Sequence, residues 1–218
     1  MTKLFVVSAP SGTGKTTLNS RLMKDFPAVE IAVSHTTRKK REGETDGASY
    51  HFVNRDFFQT MIHHGELFEW AEVFGNFYGT SRGEVDRIFA KGHHVLLEID
   101  VQGCQSILRA KPNAITVFIL PPSIESLWHR LEQRGTDSEK DRWKRLVAAK
   151  KEIECGSLYE HFIVNDNMDR AYNELKSVVI DGKHSAISKK DGVLLCDKLV
   201  EEFVTSPLLQ SLKKKFGP

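Results

Sequence analysis

Between residues 8 and 17 the order Ser-Ala-Pro-Ser-Gly-Thr-Gly-Lys-Thr-Thr places two glycines, a lysine and a hydroxyl where they can act on one anionic group. Gly12 and Gly14 let the backbone fold into a cradle whose N–H groups point at phosphate oxygens. Lys15 adds a point charge, and the Thr16 hydroxyl suits a magnesium ion. The apolar run from Leu4 to Val7 leads in, and Leu18, Arg21 and Leu22 follow at helical spacing, as a strand, loop and helix would. The full motif spacing puts its first glycine at position 9, where this chain has Ala9, a side chain small enough for the turn. Ala9, Pro10, Ser11, Gly12, Thr13, Gly14, Lys15 and Thr16 are therefore the expected phosphate-loop residues.

A second anion site is expected in Ser34 to Glu44, where His35, Arg38, Lys39, Lys40 and Arg41 crowd a short stretch. Two arginines three residues apart can clamp one phosphate, because guanidinium forks give bidentate bonds that lysine cannot. Tyr50 and Tyr78 are candidate neutral donors to the same phosphate; a solvated charge run and ordinary aromatic packing are the competing readings.

Glu69 lies in Leu-Phe-Glu-Trp-Ala-Glu, among apolar and aromatic residues, and reads as a carboxylate in a partly dry site. Guanine offers N1–H and its exocyclic amine side by side, matching one carboxylate, whereas adenine presents an acceptor at N1. Rejecting the wrong base through such a buried polar mismatch is worth roughly 10⁴-fold.

Val95 to Ile99 is a buried strand leading to Asp100 and a helix start. Ligands of open α/β sheets lie at the carboxyl ends of the strands. Asp100 is thus expected beside the phosphate loop, for a water-mediated magnesium contact or for the incoming nucleotide, or as the cap of the next helix. Arg134, beside Gly135 at a helix end, is placed to swing over phosphates, which phosphoryl transfer requires because its transition state spreads charge over three oxygens. Arg130 and Arg142 read instead as members of solvated helix faces. Adjacent histidines at 63–64 and 93–94 point in different directions and complete no ligand set, so no zinc site is assigned.

These groups need a scaffold. Four apolar runs, 4–7, 95–99, 115–120 and 162–164, alternate with helical patterns at 15–25, 82–91, 101–110, 123–133 and 138–154, which predicts a parallel α/β sheet flanked by helices. Ser123 and either Asp166 or Asn167 are expected helix caps. Residues 31 to 81 break the rhythm, with one helix at 56–64, and read as an inserted substrate-binding unit. After position 181 an apolar patch from Val193 to Phe203 predicts one amphipathic helix, then a loose basic end.

With 218 residues, 40% apolar and 28% charged, the chain suits one domain with small insertions. A net charge of +2 is too near balance to argue for nucleic acid or a membrane as partner. Cys104, Cys155 and Cys196 are far apart and odd in number, which speaks against disulfides and suits a reducing cytoplasm. No run approaches the ~20 apolar residues of a membrane span.

The chain resembles the guanylate kinase family of P-loop nucleoside monophosphate kinases. The resemblance is carried by residues 7–16, by Val33-Ser-His-Thr-Thr-Arg38, Phe74-Gly-Asn-Phe-Tyr-Gly-Thr-Ser81 and Ile99-Asp-Val-Gln-Gly103, and by Leu120 to Ser123, Arg134 to Thr136 and Ile163 to Asp166. It implies a P-loop kinase fold over about 1–181, with a mixed α+β GMP-binding insertion at about 33–83 and a helical lid at about 124–156. It implies transfer of the terminal phosphate of ATP to GMP or dGMP with Mg2+. Ser34, Glu69, Thr80 and Asp100 would hold the guanine, and Arg38, Arg41, Tyr50 and Tyr78 the GMP phosphate. Arg134 and Arg145 would belong to the lid, Asn165 would lie near adenine, and Lys15, Arg38, Arg134 and Arg145 would serve the transfer itself. Phe77 and Glu98 depart from the family's usual tyrosine and aspartate. A binding module without catalysis, or a P-loop kinase with another acceptor, is the alternative. Neither oligomeric state nor the role of 182–218 follows from the sequence.

Overall fold

The apolar run before the glycine loop is β1 (Leu4–Ser8), and helix α1 (Lys15–Asp25) starts at the loop lysine itself. The structure, a computed structural model, describes residues 2–73, 75–133 and 138–217. The remaining strands are β2 (Val29–Ile31), β3 (His35–Thr36), β4 (His51–Phe52), β5 (Leu67–Val73), β6 (Asn76–Ser81), β7 (His94–Glu98), β8 (Ile115–Leu120) and β9 (His161–Val164). The remaining helices are α2 (Arg55–His63), α3 (Arg82–Ala90), α4 (Val101–Ala110), α5 (Ile124–Gln133), α6 (Glu139–Ile153), α7 (Met168–Val179), α8 (Lys189–Thr205) and α9 (Pro207–Phe216). Strand order in the larger sheet is β2-β7-β1-β8-β9, and the smaller sheet runs β4-β3-β6-β5.

The chain divides into two compact units, residues 1–6 with 26–115 and residues 7–25 with 116–218. In the first, β2 pairs parallel with β7, and the interior of β7 is fully buried, as its continuous apolar run predicts. The smaller sheet carries an antiparallel β5/β6 hairpin. Along β5, Leu67, Glu69 and Ala71 turn inward while Trp70 and Glu72 face out, so strand alternation by itself sends the Glu69 carboxylate inside. Helix α2 closes this sheet with Phe58 and Met61 against Leu67 and Phe77; Phe58 and Phe77 stack at 5.3 Å. Asn54 caps it by accepting from Phe57 N.

In the second unit β8 and β9 pair parallel, in register from Val117 with His161 to Leu120 with Val164. Ser123 Oγ accepts from Ser126 N at the start of α5, and Asn167 caps α7 through bonds from Asp169 and Arg170 N–H. The C-terminal stretch departs from expectation. In place of one helix and a loose end it forms two helices, because Ser206 and Pro207 start a new helix rather than ending order. Ser206 Oγ accepts from Leu209 N, and Pro207 fits a first turn that needs no N–H. Leu209 and Leu212 are buried, and Lys213 to Lys215 lie in the last turn, where positive charge suits the helix dipole.

Candidate functional site

The side chains singled out in the sequence fall into two sets, one in each unit. In the first unit Glu69 is 5% exposed, and its Oε1 accepts from Thr80 Oγ1 at 2.8 Å. Thr80 comes from β6, paired directly across from Glu69. Because the Thr80 proton goes to Glu69, the Ser34 hydroxyl, 3.0 Å from Thr80 Oγ1, is the donor in the next link. Burial pushes the Glu69 carboxyl up to about 7; the Asp100 charge adds to the rise, and the Thr80 bond opposes it. Asp100 caps α4 by accepting from Gly103 N at 2.9 Å. A Cβ on Gly103 would stand 2.8 Å from Glu69 Oε2, so the missing side chain is what makes room for the carboxylate. This is a buried carboxylate with the Thr80 hydroxyl at one oxygen and the Ser34 hydroxyl one link behind it, suited to two donors placed side by side.

The basic cluster lies in the same unit. Arg38 is not solvated: Nη2 and Nη1 donate to the two oxygens of Glu44 at 2.6 and 3.0 Å, and Nη1 also donates to Lys39 O at 2.7 Å. Its guanidinium lies 5.4 Å from the Tyr50 ring centroid, and Tyr50 meets Tyr78 edge to face at 5.9 Å. The hydrogen bonds that Arg38 donates to Glu44 hold its guanidinium firmly in the charged form, and burial raises the Tyr50 phenol, so Tyr50 stays a neutral donor. The Arg41 N–H donates to Glu44 Oε2 at 2.7 Å, and the Arg41 side chain is exposed. Arg38, Tyr50 and Tyr78 thus lie together, and Arg38 is bound to a carboxylate, Glu44, to which the sequence assigned no role. Its only signal was an acid placed six residues after one arginine and three after the other.

In the second unit the loop from Ala9 to Gly14 joins β1 to α1, with Thr13 N donating to Pro10 O at 3.1 Å. Gly12 and Gly14 sit at φ +95° and +100°, a region that side chains rarely adopt. A Cβ on Gly14 would meet Asn165 Nδ2 at 2.6 Å, and one on Gly12 would meet Leu131 Cδ2 at 2.9 Å. Asn165, 2% exposed, donates from Nδ2 to Thr13 O at 2.7 Å and so pins the loop. Arg130 is a correction: it is no part of a solvated face, since its guanidinium reaches Thr13 O at 3.4 Å and Asn165 O at 2.7 Å. Arg142 likewise is largely covered, bound to Glu132 and lying over the Trp128 ring. Arg145 is half-buried on α6. Arg134, with Gly135 and Thr136, lies outside the described residues.

The first turn of α1 carries Lys15 and Thr16 and no acid. A glycine cradle facing a helix N-terminus, with a lysine and a hydroxyl in place of carboxylates, fits a phosphate group and the hard, oxygen-seeking cation that accompanies it. The chain thus carries two groups of cationic and N–H donors, one in each unit, and a buried carboxylate in the first.

The family model described as guanylate kinase matches residues 1–181, the greater part of the chain and every residue assembled above. The chain belongs to the guanylate kinase family. It is 48% identical to a guanylate kinase of Hahella chejuensis over 176 residues, 81% of this chain and 85% of that one. A guanylate kinase of Myxococcus xanthus is 47% identical over 178 residues, with the same coverage of both chains. The crystal structure of guanylate kinase from Anaplasma phagocytophilum superimposes with a TM-score of 0.70 at 29% identity, covering 95% of this chain and 96% of that one. The α/β architecture is thus the guanylate kinase form of the P-loop kinase fold.

Proposed function

We propose that GMP or dGMP binds in the first unit and ATP in the second. As a member of the guanylate kinase family the chain is an enzyme, an ATP-dependent kinase of GMP. The buried Glu69 carboxylate with its Thr80 and Ser34 hydroxyls carries the assignment of the acceptor base. Its oxygens suit the guanine N1–H and amine, and its burial makes the match selective. Asp100 completes the base set. Arg38 and Arg41 hold the acceptor phosphate, with Tyr50 and Tyr78 as neutral donors.

The loop from Ala9 to Thr16 cradles the donor phosphates with its N–H groups, and Lys15 neutralises charge as it moves to the phosphoryl being passed. Arg134 and Arg145 add positive charge there, and Asn165 holds the loop closed on Thr13. Mg2+, when bound with ATP, neutralises phosphate oxygens, and Thr16 is the residue that offers it a hydroxyl. The protein supplies position and charge and forms no covalent intermediate. Three free cysteines fit a reducing cytoplasm. Among the described residues no helix is long and apolar enough to cross a membrane.

Calorimetric titration of Arg41→Met with GMP and with MgATP separately tests the division of labour. GMP affinity should fall while ATP affinity holds; a loss of ATP affinity with GMP binding intact would place Arg41 in the wrong site.

A further inference from the structure

The family model ends at residue 181, and the two helices beyond it remain without a task. They are tightly bound to the rest of the second unit. A Cβ on Gly192 of α8 would lie 2.2 Å from the Phe162 ring of β9, and one on Gly156 would lie 2.6 Å from Cys196 Sγ. Cys196, Leu199 and Phe203 of α8 are buried with Leu209 and Leu212 of α9.

The polar contacts of this pair converge on α5 and α6. Glu202 accepts from Ile124 N at 2.7 Å, binding the first backbone N–H of α5 from a position 78 residues away. Ser206 Oγ donates to Glu125 Oε1 at 2.5 Å, in the same turn. On α6, Trp143 Nε1 donates to Gly217 O at 3.0 Å, and Lys215 pairs with Glu139 at 2.7 Å. Helix α5 is also the element that supports the phosphate loop. Leu127 and Leu131 stand against Gly12, and Arg130 binds the carbonyls of Thr13 and Asn165. One end of α5 is therefore fixed by the C-terminal pair, and the next two turns carry the loop.

We propose that Glu202 is a positioning residue for the phosphate loop, acting through α5, and that α8 and α9 are a brace for that helix. A side-chain acceptor at a helix N-terminus is ordinarily supplied locally; here Ser123 serves Ser126 N, and the neighbouring N–H of Ile124 is served from α8. Removing Glu202 loosens the first turn of α5, and Leu127, Arg130 and Leu131 lie within the two turns that follow. The inference rests on the loop as the ATP site, so the test reads the loop both with and without ATP.

Three full-length proteins are compared: wild type, Glu202→Ala and Glu202→Gln, which keeps an acceptor oxygen. Amide exchange at residues 12–14 in the absence of nucleotide should speed up about fivefold in Glu202→Ala, the size of a lost helix cap. The Kd for MgATP should rise by a similar factor, GMP affinity should hold, and Glu202→Gln should stay near wild type. Should Glu202→Ala fail to fold, Glu202→Asp draws the carboxylate back by one methylene and gives the same test in milder form. A variant that melts lower yet keeps wild-type exchange at 12–14 and wild-type ATP affinity makes Glu202 merely structural and overturns the proposal. Faster loop exchange with unchanged ATP affinity upholds the brace and removes ATP from the loop.

Discussion

Glu69 and Thr80 face each other across the β5/β6 hairpin, the threonine hydroxyl donating to the carboxylate at 2.8 Å in a fully buried setting. The hydroxyl and the backbone N–H of Thr80 both bond the carboxylate. The carboxyl still has a strongly raised proton affinity, since burial outweighs the help from Thr80.

The raised pKa sets a pH dependence for GMP. With the free enzyme's Glu69 titrating at about 7, guanine must meet a carboxylate that is increasingly protonated as pH falls. GMP affinity, measured by calorimetry from pH 8 to pH 5.5, should weaken about tenfold per unit once below 7. The affinity of Glu69→Gln for GMP should be lower throughout and flat over the same range. A flat wild-type profile would mean that Glu69 does not meet the base as a carboxylate.

Stability of the empty enzyme should move the opposite way to binding. The folded-state pKa is raised above the ordinary value of 4.5, so Glu69 costs nothing below about 4.5, and its penalty grows until pH passes about 7. Glu69→Gln keeps the acceptor for Thr80 and escapes the penalty. Thermal melting without nucleotide should find it more stable than wild type at pH 8 and equal near pH 4.5.

Gly103 should be as important to the base site as the residues that touch the base. Gly103→Ala places a methyl 2.8 Å from Glu69 Oε2 and 3.2 Å from Ile99 Cβ, so the carboxylate must shift. Steady-state kinetics should show a raised KM for GMP and an unchanged KM for ATP. Equal effects on both would mean general unfolding.

At the donor loop, Gly14→Ala combines a forbidden φ of +100° with a Cβ 2.6 Å from Asn165 Nδ2, breaking the bond to Thr13. The KM for ATP should rise and the KM for GMP should hold. Lys15→Ala removes the ammonium that faces the donor phosphates in this account, so turnover should fall by roughly 10² or more.

Much of this was legible in the sequence, where local pattern and tertiary role agree. The glycine loop and α1 follow from spacing, and β7 and β8 from continuous apolarity. Glu69 stands out in the sequence as an acid among apolar and aromatic residues, and the structure shows that it lies on a strand and turns inward, between Leu67 and Ala71. Arg130 was misread because its neighbours Glu132 and Gln133 suggest solvent, while its partners Thr13 and Asn165 lie 117 and 35 residues away. Strands β3 and β4, of two residues each, are too short to show a period of two, so the smaller sheet had no signature beyond its aromatics. The second C-terminal helix was hidden by Ser206 and Pro207, which end one helix and begin another.

The most direct test is ADP release with GMP, dGMP, AMP, CMP and UMP as acceptors under identical MgATP. A base site built on Glu69, Thr80 and Ser34 predicts turnover with GMP or dGMP and kcat/KM lower by roughly 10⁴ for AMP. Comparable kcat/KM for AMP and GMP would contradict the account of how this chain chooses its substrate.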